Sequence, residues 1–186
     1  MLYYIAIPVA WLLWHIGFRI QVIGRENLKN RGTKGFIIAP THISAIDPVF
    51  VVLARFWGKR MMVFAKKELF EMNAFITWFI RQCGAVMVRG TREREGELIP
   101  PKSGVFVVAA QAGVDVIPCR VLYDTPDGRM KLFCRVRVVF GPAMPAEQFA
   151  MEGRRDTKKL RANKQALLTA WETLGEANAF PPRAAV

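Results

Sequence analysis

The chain has little acid, histidine, serine or paired cysteine, and each shortage closes off some chemistry. Only 15 Asp+Glu face 27 Lys+Arg, for a formal net charge of +12. There are two histidines, His15 and His42, and three cysteines, Cys83, Cys119 and Cys134, with no CxxC spacing. A zinc site is therefore not expected, and no other metal is needed. The cysteines, odd in number and set in apolar runs, read as buried reduced thiols. Ser44 and Ser103 are the only serines, and no G-x-S-x-G elbow surrounds either, so a serine acyl-enzyme is not expected. Phosphate-loop and dinucleotide glycine motifs are also missing.

What is present is both basic and greasy. With 186 residues and 52% hydrophobic content, the chain has enough material for one cored domain and is not disordered. Its positive surplus seeks phosphates, either of nucleic acid or of anionic lipid headgroups. The apolar content favours lipid, and no nucleic-acid partner is expected.

Met1 to Phe18 carries no charge if His15 is neutral, and Arg19 ends the run. Eighteen helical residues reach about 27 Å, against a hydrocarbon core of about 30 Å. Tyr3, Tyr4, Trp11 and Trp14 suit a headgroup interface, and Pro8 kinks or divides a helix here. No basic leader or small-x-small site marks a cleaved signal. Residues 1–18 are thus expected as a membrane-associated helical segment, a short anchor or half-inserted helix rather than a soluble core helix. Arg19 and Arg25 would then lie at the cytoplasmic headgroups. His15 reads as interfacial or packed.

Residues 19–186 read as one α/β domain. Strands are expected at Arg19–Ile23, Gly35–Pro40, Lys59–Ala65 and Gly84–Val88. A further pair, Val114–Tyr123 and Met130–Phe140, brackets the turn signal Thr125-Pro126-Asp127-Gly128. Helices are expected over Pro48–Trp57, with Asp47 as N-cap, and over Leu69–Gln82. Two more are expected over Gly104–Ala112, stopped by Gly113, and over Arg154–Ala177. The alternation implies a mostly parallel or mixed sheet flanked by helices.

His42 and Asp47 carry the most pointed chemistry. Acyl transfer to an alcohol needs a base for the hydroxyl, and histidine suits neutral pH. A carboxylate on its other ring nitrogen fixes the tautomer. On one continuous helix, five residues put the pair about 140° apart. With His42 in a loop and Asp47 opening a helix, the chain can fold one back on the other. By itself the pair fits a plain loop histidine equally well.

From Gly24 onward, however, the chain resembles the 1-acylglycerol-3-phosphate acyltransferase family and its phospholipid/glycerol acyltransferase relatives. The resemblance lies in Thr41-His42-Ile43-Ser44-Ala45-Ile46-Asp47, which is similar to the family's His-x4-Asp motif with Thr41 in place of the usual Asn. It continues in Ala65-Lys66-Lys67-Glu68-Leu69-Phe70, Val116-Ile117-Pro118 and Phe140-Gly141-Pro142. It implies that His42 is the general base and Asp47 its orienter. It also implies that Lys66 and Lys67 hold or approach the acceptor's phosphate, although solvated lysines at a strand end are the plainer reading. Gly90-Thr91-Arg92 is similar to the end of the family's phosphate-binding Glu-Gly-Thr-Arg, which makes Arg92 the bidentate phosphate ligand. Lys102 resembles a further phosphate-side lysine.

One departure stands out. Met87-Val88-Arg89 precedes Gly90 where the family has Phe-Pro-Glu, as though about 30 residues, a helix and a strand, were missing. A shortened form, an inactive form, or a join between residues not adjacent in the natural molecule would each produce this. Loss of a central strand costs more stability than a domain has, which favours the join.

The implied reaction moves a fatty acyl group from acyl-CoA or acyl-carrier protein, as co-substrate, to the hydroxyl of 1-acylglycerol-3-phosphate. The product is phosphatidic acid, and no cofactor is implied. The expected location is the cytoplasmic face of a membrane, the cell inner membrane in a bacterium. A different lysolipid acceptor, or a non-catalytic basic membrane-binding protein, are the competing readings. The aromatic stretch Phe70–Phe79 reads as core, or as the lining of an acyl groove.

Overall fold

The computed structural model describes residues 2–28, 35–41, 43–44, 46–55, 61–66, 71, 73–74, 77–78, 81, 85–88, 101–151 and 156–181. Helix α1 spans Leu2–Gly17. Strand β1 (Arg19–Ile23) and a 3-10 turn at Arg25–Leu28 follow, then β2 (Phe36–Pro40) and α2 (Asp47–Arg55). Two short strands, β3 (Val63–Lys66) and β4 (Ala85–Val88), precede α3 (Gly104–Ala112). The C-terminal part contains β5 (Asp115–Tyr123), β6 (Arg135–Phe140), a single-turn helix α4 (Ala146–Phe149) and α5 (Thr157–Ala177).

Four strands form a mixed sheet in the order β1-β6-β5-β2. The outer pairs are parallel, with Ile38 opposite Ile117 and Val22 opposite Val138. The central pair is antiparallel, with Val121 opposite Val138. Strand β5 is apolar almost throughout and mostly buried, as befits a strand covered on both faces. One face packs Cys119, Val121, Tyr123, Val136 and Val138 against Phe50 and Val51 of α2 and against Phe18. On the other, Ala39 and Val116 pack with Phe106 of α3, Phe149 of α4, and Leu160, Leu167 and Trp171 of α5. The result is a sheet between two helical layers, as expected from the alternation of elements.

The expected single sheet is instead divided. Strands β3 and β4 pair in parallel with each other, Val63 opposite Ala85 through Lys66 opposite Val88, and no described strand joins them to β2. The Arg89–Gly90 junction, and most of the helix expected over Leu69–Gln82, lie outside the described residues. Trp78, expected as core or groove lining, is half exposed.

Other boundaries move for local reasons. Strand β6 starts at Arg135 rather than Met130 because two turns occupy the connection. The Gly128 N–H donates to Thr125 O (3.1 Å) and the Cys134 N–H to Lys131 O (3.2 Å). Helix α5 starts at Thr157, where the Asp156 carboxylate accepts from the Lys159 N–H at 3.0 Å and caps it. Helix α3 ends as expected, with Gly113 in the left-handed region at φ 59°. Gly24 has a second reason to be glycine. It sits at φ 74°, and a Cβ there would lie 2.0 Å from Phe140 O.

Helix α1 occupies the expected segment. Sixteen residues reach about 24 Å, and among the described residues no helix is long and apolar enough to cross a membrane. Its C-terminal end is attached to the body, with the Trp14 and Phe18 rings edge-on to Phe50 at 6.5 and 5.1 Å. His15 is packed as anticipated: its ring lies 4.0 Å from that of Trp11, and its Nδ1 is 2.8 Å from Trp11 O. Cys119 and Cys134 are free and buried, as expected of reduced thiols; Cys83 lies outside the described residues.

Candidate active site

The site forms where β2 gives way to α2, at the carboxyl end of a parallel strand, where α/β sheets present their ligands. Thr41 continues the β2–β5 ladder for one more residue. Its N–H donates to Cys119 O (2.9 Å), and its Oγ1 accepts from the Val121 N–H (3.3 Å). Thr41 is buried. The residue that departs from the familiar Asn thus fastens the end of β2 to the central strand.

Asp47 is fully buried, at 0% exposure, yet its bonding differs from that of an ordinary N-cap. A capping side chain accepts from amides downstream, within the helix. Asp47 is itself the first residue of α2, and its Oδ2 accepts from amides upstream, Ile43 N–H at 2.6 Å and Ser44 N–H at 2.8 Å. The carboxylate therefore pulls the preceding loop back onto the helix start. Oδ1 accepts from the Tyr123 hydroxyl at the end of β5. A carboxylate has about four acceptor positions, and these described donors use three of them. The positive end of α2 also favours a negative charge here.

Tyr123 is the functional residue that reading the sequence missed. It lies 76 positions from Asp47, and nothing local marks it, because a buried tyrosine near a strand end is common. The only available signal was its alternation with Cys119 and Val121 along β5, which puts all three on the α2 face. Burial, and then the nearby Asp47 carboxylate, push its hydroxyl well above the ordinary tyrosine range, so it remains a donor. The same two causes push the Cys119 thiol far up. Both disfavour the thiolate, the reactive form of a cysteine.

The other expected site residues are less concentrated. Lys66 is the last residue of β3, opposite Val88, and Lys102 is exposed just before α3. They stand on elements separate from the hydrogen bonds that define the Asp47 corner. His42, Lys67, Gly90, Thr91 and Arg92 lie outside the described residues. Among the described residues no group of His, Cys, Asp or Glu is arranged to hold a metal.

Residues 19–89 match the Acyltransferase family model, a stretch that contains the whole of this corner except β5. A Caenorhabditis elegans protein, acl-1, provisionally named as a 1-acyl-sn-glycerol-3-phosphate acyltransferase, is 27% identical over 58% of this chain and 51% of its own length. The chain thus spans about half the length of that curated relative. The crystal structure of the 1-acyl-sn-glycerophosphate (LPA) acyltransferase PlsC from Thermotoga maritima aligns with a TM-score of 0.59 at 20% identity. That alignment covers 89% of this chain and 74% of the other, a similarity of fold. The segment 19–89 is thus similar to the acyltransferase family, and the fold as a whole is similar to that of the Thermotoga maritima structure.

Proposed function

We propose that the protein is a membrane-associated acyltransferase that makes phosphatidic acid from 1-acylglycerol-3-phosphate and an acyl thioester. The observation that carries this is the Asp47 corner: a buried carboxylate that ties the His42-containing loop to the start of α2. His42 takes the proton from the acceptor hydroxyl, whose oxygen attacks the thioester carbonyl. The tetrahedral intermediate collapses by breaking the C–S bond, and the imidazolium returns its proton to the departing thiolate. Asp47 holds the ring in the tautomer that leaves the reacting nitrogen basic and stabilises the imidazolium. Two proteins named for this substrate class among the similar proteins support the choice of acceptor. Arg92, Thr91 and Gly90, with Lys66, Lys67 and Lys102, are the proposed phosphate side. Acyl-CoA and acyl-carrier protein are both donors of the required chemistry.

Membrane association is supported by the outer face of α1. Ile5, Val9, Leu12, Leu13 and Ile16 are exposed and apolar, with Tyr4 exposed beside them, whereas the outward stripe of a helix facing water is polar. A helix of this length, tied to the body at one end, lies in the interface rather than across it.

The test is turnover of acyl-CoA and 1-acylglycerol-3-phosphate by the purified protein in vesicles, beside His42→Ala. Turnover that disappears in the variant supports the reading. Turnover only with another lysolipid would keep the chemistry and change the acceptor. No turnover with either donor on any lysolipid would leave a basic membrane-binding protein.

A further inference from the structure

At the C-terminal end of α1, a tight turn carries two large apolar side chains outward. The Cys134 N–H donates to Lys131 O at 3.2 Å, closing a four-residue turn with Leu132 and Phe133 at its centre. Phe133 occupies the third position at φ 64° and is the only described non-glycine residue at positive φ. A turn of this kind favours glycine there, and a bulky residue costs conformational energy. The strain is not offset by packing, since Phe133 is 69% exposed and Leu132 66%.

The turn is held firmly in place. The Phe133 N–H donates to Gly17 O at 2.9 Å, and the Arg19 N–H to Cys134 O at 3.3 Å. Leu132 packs close beside Gly17. The two exposed side chains therefore continue the apolar face of α1, which ends at Ile16, itself 68% exposed. Lys131 and Arg129 precede them in the chain, Arg19 is joined to Cys134 O through its N–H, and all three are exposed. The ion pair between Lys131 and Asp127 (3.2 Å) is a solvent-exposed one and holds little energy.

We propose that the Lys131–Cys134 turn is a membrane-inserting finger, placing Leu132 and Phe133 among the acyl chains of an anionic bilayer. Arg129, Lys131 and Arg19 face the headgroups. This rests on the membrane-associated reading and extends it from one helix to a two-point contact. Charge decides the occupant. Anionic lipid complements these exposed cations, whereas a second copy of a chain with net charge +12 would set like charges against each other.

Flotation with phosphatidylcholine vesicles containing phosphatidylglycerol tests the finger in the full chain. Leu132→Ser with Phe133→Ser is expected to weaken partitioning at least about tenfold, since each side chain loses its burial in lipid. Its thermal midpoint should change little, because both side chains are mostly exposed. Phe133→Gly separates the two effects: it should melt higher than wild type, the strain gone, yet float less. The helix variant Leu12→Ser, Leu13→Ser, Ile16→Ser provides the contrast. If it is released while the double finger variant floats like wild type, the finger is wrong and membrane association stands. If wild type does not float, both fall. A finger variant that changes the oligomeric state instead of vesicle binding would assign the patch to a second copy and overturn the proposal.

Discussion

The Asp47 corner and the outer face of α1 with its neighbouring turn are opposites in construction. At the corner a charge is buried and surrounded by donors: two loop amides and the Tyr123 hydroxyl. At the outer face, apolar side chains of α1 and then Leu132 and Phe133 are exposed on the protein surface. Each inverts the usual rule that charge is outside and hydrocarbon inside. A buried charge persists only where it is fully hydrogen-bonded, so the corner must be rigid. An exposed apolar surface persists where something else covers it, so the outer face adds little to the stability of the free protein. One region should therefore respond to mutation through stability, the other through binding.

The largest effect sharpens the first half of that contrast. Gly24→Ala puts a Cβ against Phe140 O, where β1 ends beside β6, and should cost about 3–5 kcal/mol in denaturant unfolding, at the upper end for single substitutions. Asp47→Ala comes next. It leaves the Ile43 and Ser44 amides and the Tyr123 hydroxyl without their acceptor and should cost about 2–4 kcal/mol, the contributions of neighbouring bonds not being additive. Tyr123→Phe removes one donor from a buried carboxylate and should cost about 1–3 kcal/mol. Turnover should fall less than in the His42 and Asp47 variants. On the outer face, the triple α1 variant should lie within about 0.5 kcal/mol of wild type while losing vesicle binding. A large stability loss there would break the comparison and make α1 an ordinary core helix.

Tyr123 also gives the corner a pH signature. In the unfolded chain its hydroxyl ionises near pH ~10; in the folded chain burial and Asp47 hold it protonated well beyond that. Its contribution is complete below pH ~10 and declines as the pH rises further, because the unfolded state then gains by releasing the proton. Alkaline unfolding of Tyr123→Phe should be the shallower of the two.

Much of this was legible in the sequence where the signal is local. Arg19–Ile23 became β1 with the expected ends, and the stop at Gly113 follows from one left-handed residue. The strand, loop and helix start around Asp47 were legible too, since Pro48 and the β-rich run before Thr41 mark them. The bonding of Asp47 was not. Its amide donors lie upstream rather than downstream, and its hydroxyl donor, Tyr123, comes from far along the chain. The division into two sheets was likewise hidden, because short strands such as β3 and β4 show their propensity and not their neighbours. The late start of β6 follows from Phe133 at positive φ, a position for which its residue type gives no signal.

The most direct test of the Asp47 corner is the turnover number of Asp47→Asn with acyl-CoA and 1-acylglycerol-3-phosphate. Asparagine keeps the shape and one acceptor oxygen but loses the charge that orients and stabilises an imidazolium. Turnover should fall at least about 10²-fold, on the scale of a positioned base, with the protein still folded at assay temperature. Turnover equal to wild type would mean that Asp47 only holds the loop together, and the reading of the corner as an acyl-transfer site would be contradicted.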